Sequence, residues 1–348
     1  MRAQGDASRA VRHLLRAAAE VAHDPALVAR LVRSTGLSAE GVRFALERSL
    51  ELDATDAEVA ALVAHATRAP AVHVVLSANV FTAPLRAIAL ARASSDAVTV
   101  RPSTREPVFA AALVAAAADP SVTLAESRDV GDVASGEIHV YGRDETIVAV
   151  RRAARPAVVV RGHGTGLGVA LVLAGDGLDE AARAIAEDVV AFDQRGCLSP
   201  RIVLTLGDAA RAAELGRALH RALEELGRSV PRGELDVAER RDAARYAETM
   251  AFAGHVHRAE RHLVGVATEA GPLLVPPPGR HVHIVAVSDV AGAQRLLGPI
   301  HPHIVAVGTG DADAVRSVVG QRVRVSPLGW MQRPRLDGPV DLRAIGPA

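Results

Sequence analysis

The chain has 348 residues, 49% of them hydrophobic, and its 40 basic residues balance 40 acidic ones. This size and hydrophobic content predict a large buried core and two or three globular domains. The neutral charge balance argues against nucleic acid or an anionic membrane surface as the main partner. No apolar run approaches the roughly 20 residues of a membrane span, so we do not expect an integral membrane protein.

Residues 1–70 are predicted to form a helical N-terminal segment. Apolar residues recur there at three- and four-residue spacing, and the last helix opens with a capping box over Thr55–Glu58. The first residues, MRAQGDASRAVRHLLRAAAEV, mix charged and apolar side chains and lack the apolar core of a signal peptide. We therefore expect a cytoplasmic protein.

From Ala71 onward, short β-branched runs alternate with helical runs, as in AVHVVL, PLRAIALARA and AVTVR. This alternation is typical of βαβ units and predicts an α/β fold with a parallel sheet. A second series of strands and helices starts after Cys197. We predict two α/β lobes, over residues 71–193 and 194–326, followed by a C-terminal tail over 327–348.

The run Gly162-His163-Gly164-Thr165-Gly166-Leu167-Gly168 is rich in glycine but leads into VALVLAG, which has the pattern of a strand. A dinucleotide-binding glycine loop needs a helix at that point, and no Lys-Ser/Thr pair follows as in a phosphate-binding loop. The run is predicted to be a flexible connection between two strands near a functional site.

Cys197 is the only cysteine in the chain, so it forms neither an internal disulfide nor a four-thiolate zinc site. It lies in QRGCLSP, a predicted bend between a helix and a strand, where a thiol kept only for packing would be unusual. A lone cysteine in a chain rich in histidine is a candidate nucleophile, and Arg195 and Arg201 are candidates for lowering its pKa. The alternative is an inert buried thiol.

Three histidine pairs are spaced two residues apart: His255 and His257, His281 and His283, and His301 and His303. Such pairs occur in zinc and copper sites. Since no acidic cluster at matching spacing accompanies them, they are interpreted as surface or core histidines, and no metal site is predicted.

Three segments resemble the aldehyde dehydrogenase superfamily, in particular its LuxC-type branch of long-chain acyl-CoA reductases. They are LSANVFTAPL over residues 76–85, VRPS over 100–103 and FDQRGCLSPR over 192–201. The ending PLGWMQRPRLDGP over 327–339 is also similar to that branch. The resemblance implies a two-lobed fold with a Rossmann-like cofactor lobe and an α/β catalytic lobe. It also implies a homo-oligomer, a dimer or larger.

The resemblance implies roles for individual residues. Asn79 would donate its side-chain amide to the substrate oxygen, together with the backbone N–H of Cys197, as an oxyanion hole; a helix N-cap is the alternative. The cofactor-binding residues would be Arg101, Ser103, Gly142, Arg143 and Gly162. Arg101 stands where the family has a lysine near the ribose, and its planar guanidinium favours NADPH over NADH; the alternative is a solvated arginine at a strand end.

Oxidising members of the superfamily carry a glutamate, which activates water, in a stretch that corresponds here to Val160–Gly164. No carboxylate is present there, and His163 is interpreted either as a base for coenzyme A or as a loop residue. The sequence therefore predicts an acyl-CoA reductase that takes acyl-CoA or another acyl thioester, with Cys197 as the acylated residue. The alternatives are an ordinary aldehyde or semialdehyde dehydrogenase, and a catalytically retired subunit that binds a partner enzyme.

Overall fold

The computed structural model describes residues 2–268 and 273–343. Its N-terminal part is helical, as predicted, and the capping box is confirmed, because Thr55 and Glu58 exchange hydrogen bonds of 2.9 and 3.2 Å between side chain and backbone. The apolar faces of these helices pack mainly on two helices that cover one face of the first sheet, described below. The helices are α1 (Arg2–Ala22), α2 (Pro25–Thr35), α3 (Ala39–Ser49) and α4 (Asp56–His65).

The first sheet has five parallel strands in the order β3-β2-β1-β4-β5. Helices α5 and α6 cover the face towards the N-terminal helices, and α7 packs on the opposite face. The elements are β1 (Val72–Val75), α5 (Pro84–Ser94), β2 (Val98–Arg101), α6 (Val108–Ala117), β3 (Val122–Leu124), β4 (Gly136–Tyr141), α7 (Asp144–Ala153) and β5 (Val158–His163). The strand order reverses between β1 and β4, and open α/β sheets bind ligands at the carboxyl ends of the strands beside such a reversal.

The second sheet has seven strands in the order β12-β11-β6-β7-β10-β9-β8, all parallel except β8. Helices α8 and α9 cover one face, and α11 and α12 cover the other. The strands are β6 (Leu167–Val172), β7 (Pro200–Leu206), β8 (Gly254–Arg258), β9 (Leu263–Ala267), β10 (His281–Val287), β11 (Ile304–Thr309) and β12 (Arg324–Ser326). The helices are α8 (Leu178–Val190), α9 (Ala209–Ser229), α10 (Val237–Ala253), α11 (Val290–Leu297) and α12 (Ala312–Val319).

The chain passes from the first sheet to the second between β5 and β6. The predicted boundary at 193/194 is therefore wrong, since it assigns β6 and α8 to the first lobe although β6 pairs with β7 and β11 of the second sheet. The glycine-rich run forms this passage, so its interpretation as a connection between two strands is confirmed. Gly168 lies where a Cβ would be 2.2 Å from the Leu198 carbonyl oxygen, which explains the need for glycine at the start of β6.

The segment 327–343 has no regular secondary structure and lies against both lobes. Asp188 of α8, 1% exposed, accepts hydrogen bonds from the backbone N–H groups of Gly329 and Met331 at 2.7 and 2.9 Å. Arg86 of α5 is buried, pairs with Glu51, and donates to the carbonyl oxygens of residues 334, 335 and 338 at 2.6–2.8 Å. Residues 344–348 of the predicted tail lie outside the described residues. Within the part of the chain that the structure describes, no helix is long and apolar enough to cross a membrane.

Candidate active site

The turn before Cys197 has an unusual backbone. After α8, residues Phe192, Asp193 and Gln194 have φ values of 54°, 51° and 64°, in the left-handed region. This conformation costs a non-glycine residue roughly 1–2 kcal/mol, so three in succession require strong external support. The chain returns to ordinary φ at Arg195, and Cys197 follows just before β7.

Buried polar side chains supply that support. Asp193 accepts hydrogen bonds from Arg280 Nε and from the backbone N–H of Gly233, both at 2.9 Å. Gln194 donates to the carbonyl oxygens of Pro200 and His281 at 2.9 and 2.7 Å and accepts from the His281 N–H at 2.8 Å. The Phe-Asp-Gln part of the motif therefore holds the turn that carries the cysteine.

The Cys197 thiol is half-buried in an apolar cluster. Burial raises its pKa to about 11, and the negative charge of Asp341 adds to this effect while Arg343 opposes it. The expectation that Arg195 and Arg201 assist the thiolate is not supported. Arg195 pairs with Glu239, and Arg201 donates to the Pro276 carbonyl oxygen. The residues around the thiol are Leu198, Val305, Ala306, Met331 and Val340.

His163 lies at the end of β5 and stacks on Tyr141, with ring centroids 4.4 Å apart. Burial lowers the pKa of His163 to about 4, although Asp341 partly offsets this, so its imidazole is neutral at pH 7. Among the described residues, His163 Nδ1 and the Tyr141 hydroxyl have no hydrogen-bond partner. Both atoms are therefore open to hydrogen bonding with a water or a bound molecule.

Two charged residues of the tail, Asp341 and Arg343, accompany Cys197 and His163. The sequence analysis did not predict either of them. Arg343 binds the two carboxylate oxygens of Asp341 at 2.8 and 2.6 Å and also donates to the carbonyl oxygens of Thr165 and Pro302 at 3.0 and 3.1 Å. Both charges act on Cys197 and on His163. We refer to Cys197, His163, Asp341 and Arg343 as the Cys197 cluster. The only sequence signal was an acid and a base two positions apart in the tail.

Asn79 lies in the turn after β1 and is exposed, with its Oδ1 accepting a hydrogen bond from Arg105 Nη2 at 2.7 Å. Helix α5 begins later, at Pro84, with Ala83 at its N-cap. Asn79 is therefore not at a helix start, and its interpretation as an N-cap is wrong.

The structure brings the Asn79 turn against the Cys197 turn. A Cβ on Gly196 would lie 3.1 Å from Val80 Cγ2, and the rings of Phe81 and Phe192 are 5.5 Å apart. Val80 and Phe81 directly follow Asn79, while Gly196 directly precedes Cys197. The two turns thus meet through their immediate neighbours.

Four of the five residues predicted to bind a cofactor lie at the carboxyl ends of β2 and β4. Arg101 is half-buried and donates to the Arg128 carbonyl oxygen at 2.5 Å, so it is not a freely solvated arginine. Ser103 Oγ accepts from the Arg105 N–H at 3.3 Å. Gly142 donates its N–H to the His163 carbonyl oxygen at 3.1 Å, and Arg143 is exposed at the N-cap of α7 without a side-chain cap.

Gly162, the fifth of these residues, lies within β5, where a Cβ would be 2.6 Å from Ile147 Cγ2 of α7. It lines a cleft of about 340 Å³ between α7 and the tail. The same cleft reaches Asp144, Arg151, His303 and both tail residues of the Cys197 cluster. The glycine therefore allows close packing of α7 at the wall of this cleft.

The histidine pairs are dispersed. His281 and His283 are buried along β10, and His257 stacks near His220 of α9, 5.4 Å between centroids. Over residues 2–268 and 273–343, no group of three or more His, Cys, Asp or Glu side chains is arranged to hold a metal ion.

Comparison with solved structures identifies the fold. It is similar to an NAD-dependent benzaldehyde dehydrogenase from Corynebacterium glutamicum at 16% identity and a TM-score of 0.69, over 94% of this chain and 82% of that one. An NAD-dependent aldehyde dehydrogenase from Sinorhizobium meliloti is similar at 15% identity and a TM-score of 0.66, over 92% and 74% of the two chains. A proline utilization A variant from Bradyrhizobium japonicum, at 17% identity and a TM-score of 0.66, covers 99% of this chain, which spans only 42% of that longer protein.

No curated protein sequence matches this chain significantly. The family model for the acyl-CoA reductase LuxC, however, matches residues 8–341. The solved structures confirm the aldehyde dehydrogenase-like α/β fold, and the family match covers both sheets, the Cys197 turn and most of the described tail. The chain belongs to the LuxC family of acyl-CoA reductases.

Proposed function

We propose that this protein reduces an acyl thioester to an aldehyde with NADPH, through an acyl-enzyme on Cys197. The observation that carries the proposal is the position of the chain's single cysteine. It lies on a turn fixed by buried side chains, in contact with the Asn79 turn, and under the charges of Asp341 and Arg343. Family membership supports the reaction class, and the family together with the fold implies a nicotinamide cofactor.

The residues at the carboxyl edge of the first sheet fit such a cofactor. The strand order reverses between β1 and β4. Arg101 ends β2, and Arg105, Arg128 and Arg143 follow β2, β3 and β4 respectively. Guanidinium groups at this edge suit the phosphates of a dinucleotide. Arg101 would contact the additional phosphate of NADPH. The bound cofactor supplies the hydride.

In the first step, Cys197 gives up its thiol proton and its Sγ attacks the thioester carbonyl carbon, and the bond from that carbon to the sulfur of coenzyme A breaks. The thiolate of coenzyme A leaves and takes up a proton. The negative charge that develops on the carbonyl oxygen would be stabilised by the Asn79 side-chain amide and the Cys197 N–H. His163, neutral at pH 7, has a free ring nitrogen that can accept a proton from an attacking thiol.

After hydride addition to the acyl carbon, the carbon–sulfur bond to Cys197 breaks, which releases the aldehyde and regenerates the thiolate. The same two oxyanion donors would act in this step. Overall, one acyl thioester, one NADPH and one proton give one aldehyde, one free thiol and one NADP⁺, so the reaction needs no further reactant.

The arrangement disfavours hydrolysis of the acyl-enzyme. The end of β5 carries His163 instead of a carboxylate, and the nearby carboxylate of Asp341 has both oxygens bonded to Arg343. Burial favours protonation of Asp341, but the bonds to Arg343 outweigh it, so its pKa is lowered. A carboxylate held in this way is a weak base for activating water.

The test measures NADPH oxidation with acyl-CoA thioesters of increasing chain length, and then the reverse reaction. With an aldehyde and NADP⁺ but no coenzyme A, we expect about one equivalent of NADPH per site, followed by a stall that coenzyme A relieves, because general-base assistance worth about 10²–10⁴-fold is missing. Sustained carboxylate formation without coenzyme A would establish an ordinary aldehyde dehydrogenase instead. Absence of both turnover and an acyl adduct would establish a catalytically inactive subunit.

A further inference from the structure

The turn before Cys197 concentrates the backbone strain of the described chain. Over residues 2–268 and 273–343, five non-glycine residues have a positive φ, and four of them belong to one unit: Phe192, Asp193, Gln194 and Arg280. The last of these, with φ of 69°, is the ion-pair partner of Asp193. Strained residues persist only where the surrounding structure holds them, and they cluster at functional sites.

We propose that Asp193, Gln194 and Arg280 are positioning residues, which hold the left-handed turn so that the Cys197 thiol has one fixed direction. This inference rests on the proposed role of Cys197 as the acylated residue. It assigns no contact with substrate or cofactor to the three residues, which act through the backbone of residues 192–197.

Asp193 and Gln194, within the turn, are hydrogen-bonded to three separate segments of the second lobe. We refer to Asp193, Gln194 and Arg280 as the anchors. Asp193 is bonded to Arg280 and to Gly233, and its own carbonyl oxygen accepts from the Gly279 N–H at 3.1 Å. Arg280 in turn donates to the Val230 carbonyl oxygen at 2.7 Å. Gln194 connects the turn to the starts of β7 and β10. The turn is thus tied to the starts of two neighbouring sheet strands and to the link between α9 and α10.

Burial makes these anchors effective. Asp193 and Gln194 are each 1% exposed, and Arg280 is 2% exposed. Water cannot replace the bonds, so a turn that leaves this conformation would strand a carboxylate, a guanidinium and an amide in the interior. The left-handed conformation is therefore stabilised by buried hydrogen bonds of all three side chains.

Gly196, which follows the turn, lies close to side chains of the first lobe and of the tail. A Cβ on Gly196 would be 3.1 Å from Val80 Cγ2 and 3.1 Å from Gln332 Oε1. Residues 195–197 therefore run between the anchored turn and the wall formed by the first lobe and the tail. Because Gly196 is closely surrounded, we expect a change in the turn's dihedral angles to change the direction of the Cys197 side chain.

The chain offers a matched control in the first lobe. Asp119 accepts from Arg92 Nε and from the Ser121 N–H, both at 2.9 Å, and so repeats the bonding of Asp193 far from Cys197 in the fold. We would compare Asp193→Ala with Asp119→Ala. Each variant would be measured for thermal unfolding, for the rate of Cys197 alkylation by iodoacetamide between pH 8 and 10, and for kcat and KM with acyl-CoA and NADPH.

We expect Asp193→Ala to lower kcat by about 10–100-fold, the effect of a small misplacement of a reacting group, with KM changed by less than about twofold. Alkylation should slow by one common factor across the pH range, because the direction of the thiol changes and its ionisation does not. Asp193→Asn should recover most of both rates, since asparagine tolerates the left-handed region and keeps an oxygen acceptor. Asp119→Ala should lower thermal stability and leave both rates unchanged.

The proposal is wrong if Asp193→Ala loses stability as Asp119→Ala does while alkylation and kcat stay at the wild-type values. If Asp193→Ala does not fold, Arg280→Lys takes its place in this comparison. Arg280→Lys keeps the charge but cannot reach both Asp193 and Val230, so alkylation should slow if the proposal holds. Alkylation needs neither substrate nor cofactor and therefore tests the turn even if the wild-type protein reduces no acyl thioester, an outcome that would refute only the proposed function.

Discussion

The two turns that meet at the candidate active site are built in opposite ways. The turn before Cys197 contains Asp193 and Gln194, whose side chains are 1% exposed and hydrogen-bonded in the interior. In the Asn79 turn, by contrast, Asn79 is exposed, and its side chain is bonded to Arg105, which is also exposed. The difference indicates that the protein fixes the proposed nucleophile in advance and leaves the proposed oxyanion donor and the neighbouring arginines open to a ligand.

The largest expected effect comes from Cys197, which the buried turn carries. Cys197→Ser should lower reductase activity by about 10³-fold or more, because removal of a nucleophile usually costs that much. Mass spectrometry of the intact protein after mixing with an acyl-CoA, without cofactor, should show one acyl adduct in the wild type and none in the variant. An adduct that persists in Cys197→Ser would place the acyl group elsewhere.

In the Asn79 turn, Asn79→Ala should lower kcat by about 10²–10³-fold, the usual cost of losing one oxyanion donor. Asn79→Asp is the matched variant, since it keeps the size and the acceptor for Arg105 but lacks the donor N–H groups. Equal losses in the two variants, with thermal midpoints near that of the wild type, would support a donor role. Full activity of Asn79→Asp would refute it.

Replacement of Arg101 tests whether the carboxyl edge of the first sheet binds the additional phosphate of NADPH. Arg101→Ala should reduce the preference for NADPH over NADH by about tenfold, the lower range for a charged hydrogen bond. Arg68→Ala provides the control, because Arg68 lies before β1, at the opposite edge of the sheet, paired with Asp96. If the wild-type protein binds both cofactors equally, Arg101 has no such role.

The smallest expected effect comes from the charges of Asp341 and Arg343, which act on the Cys197 thiol. Since the thiol pKa is about 11, the alkylation rate of Cys197 should rise about tenfold per pH unit from pH 7 to 10. Asp341→Asn removes a negative charge that opposes the thiolate, so alkylation at pH 8 should accelerate. Arg343→Met should slow it. Each change should be about two- to fivefold, as expected for a partly screened charge pair of ~0.5–1 kcal/mol. Opposite signs would show that the two charges do not act directly on Cys197.

The sequence predicted features that depend on neighbours along the chain. The helical N-terminus, the Thr55–Glu58 capping box, most strands and the family all follow from local periodicity and motifs. The short strands β3 and β8 were missed. The first has only three residues, and the second has a single valine between two histidines and lacks an apolar face.

Features that depend on distant contacts could not be read from the pattern. The pairing of Asp193 with Arg280 joins residues 87 positions apart, and Asp341 reaches the Cys197 cluster from the tail. Proximity in sequence instead suggested Arg195 and Arg201, which bind other partners. The lobe boundary was misplaced for a related reason, because strand periodicity does not tell which of two sheets a strand such as β6 joins.

The bonds of Arg86 have a consequence for synthesis of the chain. Its guanidinium is buried beside Glu51, yet one of its carbonyl acceptors lies 248 positions later, at Pro334. At ~5–20 residues per second, translation needs about 12–50 s to supply that acceptor. During this interval the N-terminal lobe carries a charged group that cannot yet be fully satisfied. The bonding of Arg86 is therefore complete only after synthesis of the tail, even though the strands of the first sheet end more than a hundred residues before.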